Sequence, residues 1–124
     1  MISSTDAYVV AWFKAFLFTA ALEVPFVVWA YRRGTPRMPA PRRAVVAFFA
    51  QLASHPLVWF VIPTVTTSYR NTLVVAESWA VLSETALYAA ILGGGTRRAL
   101  GVALLANMGS FALGLLLRET TGLL

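Results

Sequence analysis

ALGVALLANMGSFALGLLL, residues 99–117, runs for nineteen residues without a charge. About 20 apolar residues in helical conformation cross the hydrocarbon core of a bilayer, so this stretch reads as a membrane span. Its few polar and small residues are ordered. Ala103, Asn107, Ser110 and Gly114 recur at i, i+4, i+7 and i+11, while Leu104, Met108, Phe111 and Leu115 point elsewhere. Such a small and polar stripe lets membrane helices approach one another closely.

Working back toward the N-terminus, three more spans appear. The third, about 73–92, holds Glu77, Ser78, Ser83 and Glu84, with Glu77, Ala80, Glu84 and Tyr88 on one face, and stops at Gly93-Gly94-Gly95. No Gly-Lys-Ser/Thr follows the glycines, so they read as a hairpin turn and not a phosphate loop. The second span, about 44–64, contains Gln51, Ser54, His55 and Pro56, with Gln51 and His55 sharing a face; Pro63 and the polar run 64–72 close it. The first, about 8–31, is interrupted by Lys14, Glu23 and Pro25, and Thr19 shares the face of Glu23. Between the first two spans lies the basic loop Arg32, Arg33, Arg37, Arg42 and Arg43, which Pro36, Pro39 and Pro41 should keep extended.

Composition agrees with this division. The 124 residues are 59% hydrophobic and 12% charged, against about 25% charged in a soluble domain, and four spans with short loops use nearly all the length. The expected fold is all-α: a polytopic membrane protein, a four-transmembrane-helix bundle forming one domain over residues 1–124. With no cysteine, disulfides, thiolate metal sites and thiol nucleophiles are excluded. Residues 1–8 carry Asp6 and no Lys or Arg, unlike the basic start of a secretory signal, so the first span is expected to be retained.

The net charge of +5 is read as topology and not as nucleic-acid binding, because the arginines lie in short loops between apolar spans. Seven flank the first and third loops, against Arg70 and Arg118 on the other side. The positive-inside rule then places both termini outside the cytoplasm, N-out and C-out, in a bacterial inner membrane crossed several times. Aromatic anchors fit this orientation: Tyr8, Trp12, Trp59, Tyr69 and Trp79 at the outer interface, Trp29 and Tyr31 at the inner one.

At ~1.5 Å per residue, His55, Glu84, Asn107 and Ser110 fall near mid-membrane, with Glu23 somewhat nearer the cytoplasm. Lys14 and Glu77 share the outer third, where equal depth and opposite charge predict an ion pair. Ionisable groups at the bilayer centre cost about 2.5–3.5 kcal/mol each, so the central polar site of Glu23, His55, Glu84, Asn107 and Ser110 calls for an explanation. Two carboxylates facing one potentially cationic partner suit the binding or relay of protons or a cation. Pro25 and Pro56 free the carbonyls of Ala21 and Leu52, and freed carbonyls can coordinate ions where they line a cavity.

With one histidine and neither a Glu-x-x-His nor a His-Glu-x-x-His motif, no metal site is expected. Ser54 and Ser110 lie near His55 but have no Gly-x-Ser-x-Gly context, and Ser in membrane helices usually bonds its own backbone. A parallel repeat is faintly visible: Glu23, a basic loop and His55-Pro56 match Glu84, a basic loop and Asn107.

Glu23 followed by Pro25, His55-Pro56-Leu57, Glu77 and Glu84 seven apart, and Ala106-Asn107 with Ser110 together resemble small, uncharacterised bacterial four-helix membrane proteins. That resemblance implies a fold and no reaction or cofactor. Three functional classes follow. One is transport through the central site. Another is an accessory subunit of a larger membrane complex or homo-oligomer within the lipid bilayer. The third is an intramembrane enzyme acting on lipid or peptide, with Glu23, His55 and Glu84 as acid/base groups.

Overall fold

A computed structural model describes residues 3–33 and 38–122. Every element in it is helical: α1 (Ser4–Ala30), α2 (Ala40–Pro56), a π-helical turn (Leu57–Val61), α3 (Ile62–Val65), α4 (Tyr69–Ile91) and α5 (Thr96–Thr121). The pieces α2, π turn and α3 run on as one rod. Four segments, Ser4–Ala30, Ala40–Val65, Tyr69–Ile91 and Thr96–Thr121, are therefore long and apolar enough to cross a membrane.

Local chemistry sets the helix ends. Ser3 and Asp6 form a reciprocal capping box: Asp6 N donates to Ser3 Oγ at 3.1 Å and Ser3 N donates to Asp6 Oδ2 at 3.2 Å. Ser68 caps α4 by accepting from Asn71 N at 3.2 Å. Gly93, Gly94 and Gly95 all have positive φ, at 74°, 79° and 85°, which explains why three glycines stand together between α4 and α5. A Cβ at Gly94 would also meet the Arg98 side chain at 2.9 Å.

Helix α2 begins earlier than the prolines suggest. Pro39 is its N-cap and Pro41 lies in its first turn, so Arg42 and Arg43 are helical and not part of an extended loop. First-turn N–H groups lack helical partners anyway, and proline is tolerated there. Pro36 and Arg37 of the expected basic loop lie outside the described residues. At the other end, Pro63 does not close the rod at once, since a further turn reaches Val65.

The bundle is a ring in chain order, with neighbours α1/α2, α2/α4, α4/α5 and α5/α1. Short loops make neighbours antiparallel, so α1 and α4 are diagonal and run the same way. Large apolar side chains point outward, Leu105 and Met108 each 65% exposed, the reverse of a water-soluble bundle.

The two ends of the ring differ. At the arginine end, where α1 gives way to α2 and α4 to α5, Val27, Tyr31, Ala47, Tyr88, Leu92 and Ala99 form a closed core. Arginines from three places cap α1 there: Arg43 Nη1 donates to Val28 O, Arg32 Nη1 to Trp29 O at 2.9 Å and Arg98 Nη2 to Ala30 O at 2.7 Å. Cations at a helix C-terminus satisfy its last carbonyls and complement its dipole. The opposite, terminal end is hollow.

Candidate functional site

Midway along the bundle each of the four long helices contributes to one polar layer. Glu23 from α1 and Glu84 from α4 meet on the axis at 1% and 0% exposure. The flanking helices supply the donors. Gln51 Nε2 of α2 lies between the carboxylates, donating to Glu23 Oε2 and, at 3.1 Å, to Glu84 Oε1. Ser54 Oγ also donates to Glu84 Oε1 at 3.3 Å. From α5, Asn107 Nδ2 donates to Glu84 Oε2 at 2.7 Å, and Ser110 Oγ donates to Glu23 Oε1.

These donors are held in place by the helices that carry them. Asn107 Nδ2 also reaches Ala103 O at 2.9 Å, Ser110 Oγ reaches Asn107 O at 3.1 Å and Ser54 Oγ reaches Gln51 O at 3.3 Å. Beneath the polar groups, Ala47, Ala50, Ala103 and Ala106 are buried, and their small side chains let α2 and α5 come close to the axis. Every donor to the two carboxylates is neutral. The layer therefore contains two acids and no cation.

Of the residues expected to form the central site, Glu23, Glu84, Asn107 and Ser110 are brought together, and Glu23 lies level with the rest. His55 is not with them. Its ring packs against Phe16 (5.5 Å between centroids) and Trp59 (6.4 Å), and its buried Nδ1 has no hydrogen-bond partner. Gln51 and Ser54 take the place assigned to it. The reason is helical phase: Ala47, Ala50, Gln51 and Ser54 form the buried stripe of α2, and His55 sits roughly a quarter-turn round from its centre. Ser54 Oγ is shared between Glu84 Oε1 and the backbone carbonyl of Gln51, so no Ser/His pair is assembled.

The signal for Gln51 and Ser54 was present as a repetition. Residues 47–54 read AFFAQLAS and residues 103–110 read ALLANMGS. Ala, Ala and Ser recur at the first, fourth and eighth places, Gln is matched by Asn, and the other places hold apolar pairs. In both copies those are the buried positions: Ala47, Ala50, Gln51 and Ser54, then Ala103, Ala106, Asn107 and Ser110. Glu23 and Glu84 extend the match, each followed four and eight residues on by a buried side chain, Val27 and Tyr31 or Tyr88 and Leu92. The hairpins α1–α2 and α4–α5 thus carry the same pattern of buried residues around the polar layer. The parallel drawn from His55-Pro56 is corrected to Gln51 and Ser54.

A cavity of about 660 Å³ occupies the terminal half and ends on this layer, with Gln51, Ser54, Glu84, Asn107 and Ser110 in its wall. Glu23, its counterpart across the axis, does not line it. Nearer the mouth the lining includes Lys14, Thr19, His55, Glu77 and Arg118. Lys14 and Glu77, expected as an ion pair, both line this cavity without a salt bridge between them among the described residues. Their helices are diagonal and the hollow separates them. Ala21 and Leu52, whose carbonyls the prolines free, do not line it, so those carbonyls have no place in the site.

Among the described residues no three of His, Asp and Glu converge as a metal-binding group. Neither a family model, a curated protein nor a solved structure matches the chain.

Proposed function

We propose that this is a multi-pass protein of a bacterial inner membrane, N-out and C-out, that binds and releases protons or a small cation at the Glu23/Glu84 layer in transport or another membrane-coupled step. One observation carries the reading. Two carboxylates are buried side by side with only neutral donors, and a cavity leads to one of them. Positive charge is what the layer lacks, and in a low-dielectric interior two uncompensated like charges are costly. Glu84, in the cavity wall, is the exchanging group; Glu23 is the buried partner that Gln51 couples to it.

The test is proton uptake into proteoliposomes containing a pH-sensitive dye, driven by a potassium diffusion potential. Wild-type protein should acidify or alkalinise the lumen according to the sign of the potential. Glu84→Gln should reduce the rate to that of protein-free vesicles while its melting temperature in detergent stays within a few degrees of wild type. Wild-type flux equal to the vesicle blank, for protons and for sodium or potassium, would remove the proposal. So would a fully active Glu84→Gln.

A further inference from the structure

Two hydroxyls in the closed half do nothing for its packing that a bare ring would not. Tyr88 and Tyr31 are 0% and 3% exposed, and neither Oη has a hydrogen-bond partner among the described residues. A buried hydroxyl left unpaired lowers stability, and phenylalanine would fill the same space without that penalty. Both tyrosines lie beyond the carboxylate layer as seen from the cavity. Tyr88 follows Glu84 by one helical turn and Tyr31 follows Glu23 by two, in helices that run toward the arginine end, and helical side chains lean back over the preceding turn. The Gln51 side chain comes near Tyr88 Oη without reaching hydrogen-bond geometry, and Glu84 and Glu23 both act on that hydroxyl electrostatically. Next in line is the Tyr31 ring, 6.2 Å from that of Tyr88 between centroids, with the Arg98 guanidinium over it at 4.8 Å. Around this file Val27, Ala47, Leu92 and Ala99 pack closed.

We propose that the ion released from this layer is a proton, and that Tyr88 and Tyr31 carry it to the arginine end. The inference rests on the reading of Glu84 as the exchanging group. Sodium or potassium would need oxygen ligands at each step to replace its hydration shell, and the packed aliphatic side chains supply no such shell. A proton needs only groups that can both give and take one, as a phenol can. Tyr31 releases its phenolic proton at the arginine end, with Arg98 beside the anion that forms. Its oxygen then takes the proton of Tyr88, and Tyr88 takes that of the Glu84 carboxyl. Each phenol oxygen loses one proton and gains one, and Glu84 is left ionised to reload from the cavity. The arginines repel a cation that arrives whole and favour a phenol that gives its proton up.

Proteoliposomes of wild type, Glu84→Gln, Tyr88→Phe and Tyr31→Phe are compared, with proton, sodium and potassium uptake followed separately. Wild type should move protons alone, and each tyrosine variant should be slower by about tenfold or more. Their melting temperatures should equal or exceed that of wild type, since each loses only an unpaired hydroxyl. Labelling of Glu84 by dicyclohexylcarbodiimide, an apolar reagent for protonated carboxyls that reaches it through the cavity, should be unchanged, which separates release from loading. A Tyr88→Phe protein as fast as wild type, with Glu84→Gln inactive, overturns this exit and leaves the carboxylate layer its role. Wild-type uptake of sodium or potassium overturns it too, as does loss of Glu84 labelling together with flux in Tyr88→Phe, which would make Tyr88 a support for the layer. No wild-type flux of any ion removes the role of the layer and this exit with it. Should Tyr88→Phe fail to fold, Tyr31→Phe decides by the same criteria.

Discussion

At the residue scale, the central layer makes Gln51 and not His55 the side chain on which the structure depends. One amide group serves both carboxylates, so Gln51→Leu strips a donor from each. With hydrogen bonds to charged groups worth about 1.5–3 kcal/mol, that variant should melt well below wild type in detergent. His55→Phe keeps the ring contacts with Phe16 and Trp59 and removes a nitrogen that has no partner. It should change stability by less than about 1.5 kcal/mol. Equal melting temperatures for the two variants would contradict this assignment. Glu23, Glu84, Asn107 and Ser110 were legible in the sequence because each is a costly group inside an apolar run, and the stripe through Asn107 gives its helical phase. Gln51 and Ser54 were hidden by the titratable residue beside them: chemistry drew attention to His55, while phase on the helix decided what reached the axis.

At the element scale, prolines and arginines have consequences that hydropathy alone does not give. Pro63 cannot supply the α-helical donor to the carbonyl of Trp59, and that oxygen instead accepts from Tyr8 Oη at 2.6 Å. The π turn and the first turns of α1 are thereby joined. Tyr8→Phe should cost about 1 kcal/mol in the wild-type background and little in Pro63→Ala, where the helix can supply the donor itself. A double-mutant cycle by thermal unfolding measures that coupling, and additive effects would refute it. Arg97 and Arg98 count equally toward membrane orientation, yet only Arg98 caps α1 and lies over the Tyr31 ring at 4.8 Å. Arg98→Ala should therefore lower the melting temperature, by about 1 kcal/mol or more, and Arg97→Ala should not. Four helices were readable from apolar run length, the second continuing through Pro56; the π turn at Leu57–Val61 was not, because a proline inside an apolar run is equally compatible with a simple kink.

At the scale of the whole molecule, each hairpin supplies half of the site, one carboxylate and an amide and hydroxyl donor. Hairpins produced as two separate chains, divided at Thr66–Ser68, should reassemble, since the contacts α1/α5 and α2/α4 join them without the connecting loop. Co-purification of a tagged first hairpin with an untagged second one tests this, and recovery of the tagged half alone would count against it. Orientation is tested by cysteine substitution at Met38 and Thr96, which should be labelled from the cytoplasmic side and not by an impermeant reagent outside intact cells. The hollow terminal half and the closed arginine half were not legible: both are built from apolar stripes, and only the packed backbone shows where side chains meet. Their difference bears on voltage. Once solvent fills the cavity, the transmembrane electric field is concentrated across the closed half, where it is worth about 2.3 kcal/mol per elementary charge for each 100 mV. Under the proposed function, a proton reaching Glu84 from the terminal end would cross little of the field, whereas a step onward to the arginine end would cross most of it. Loading would follow the outside concentration alone, and the membrane potential would act as a lever on the second step only.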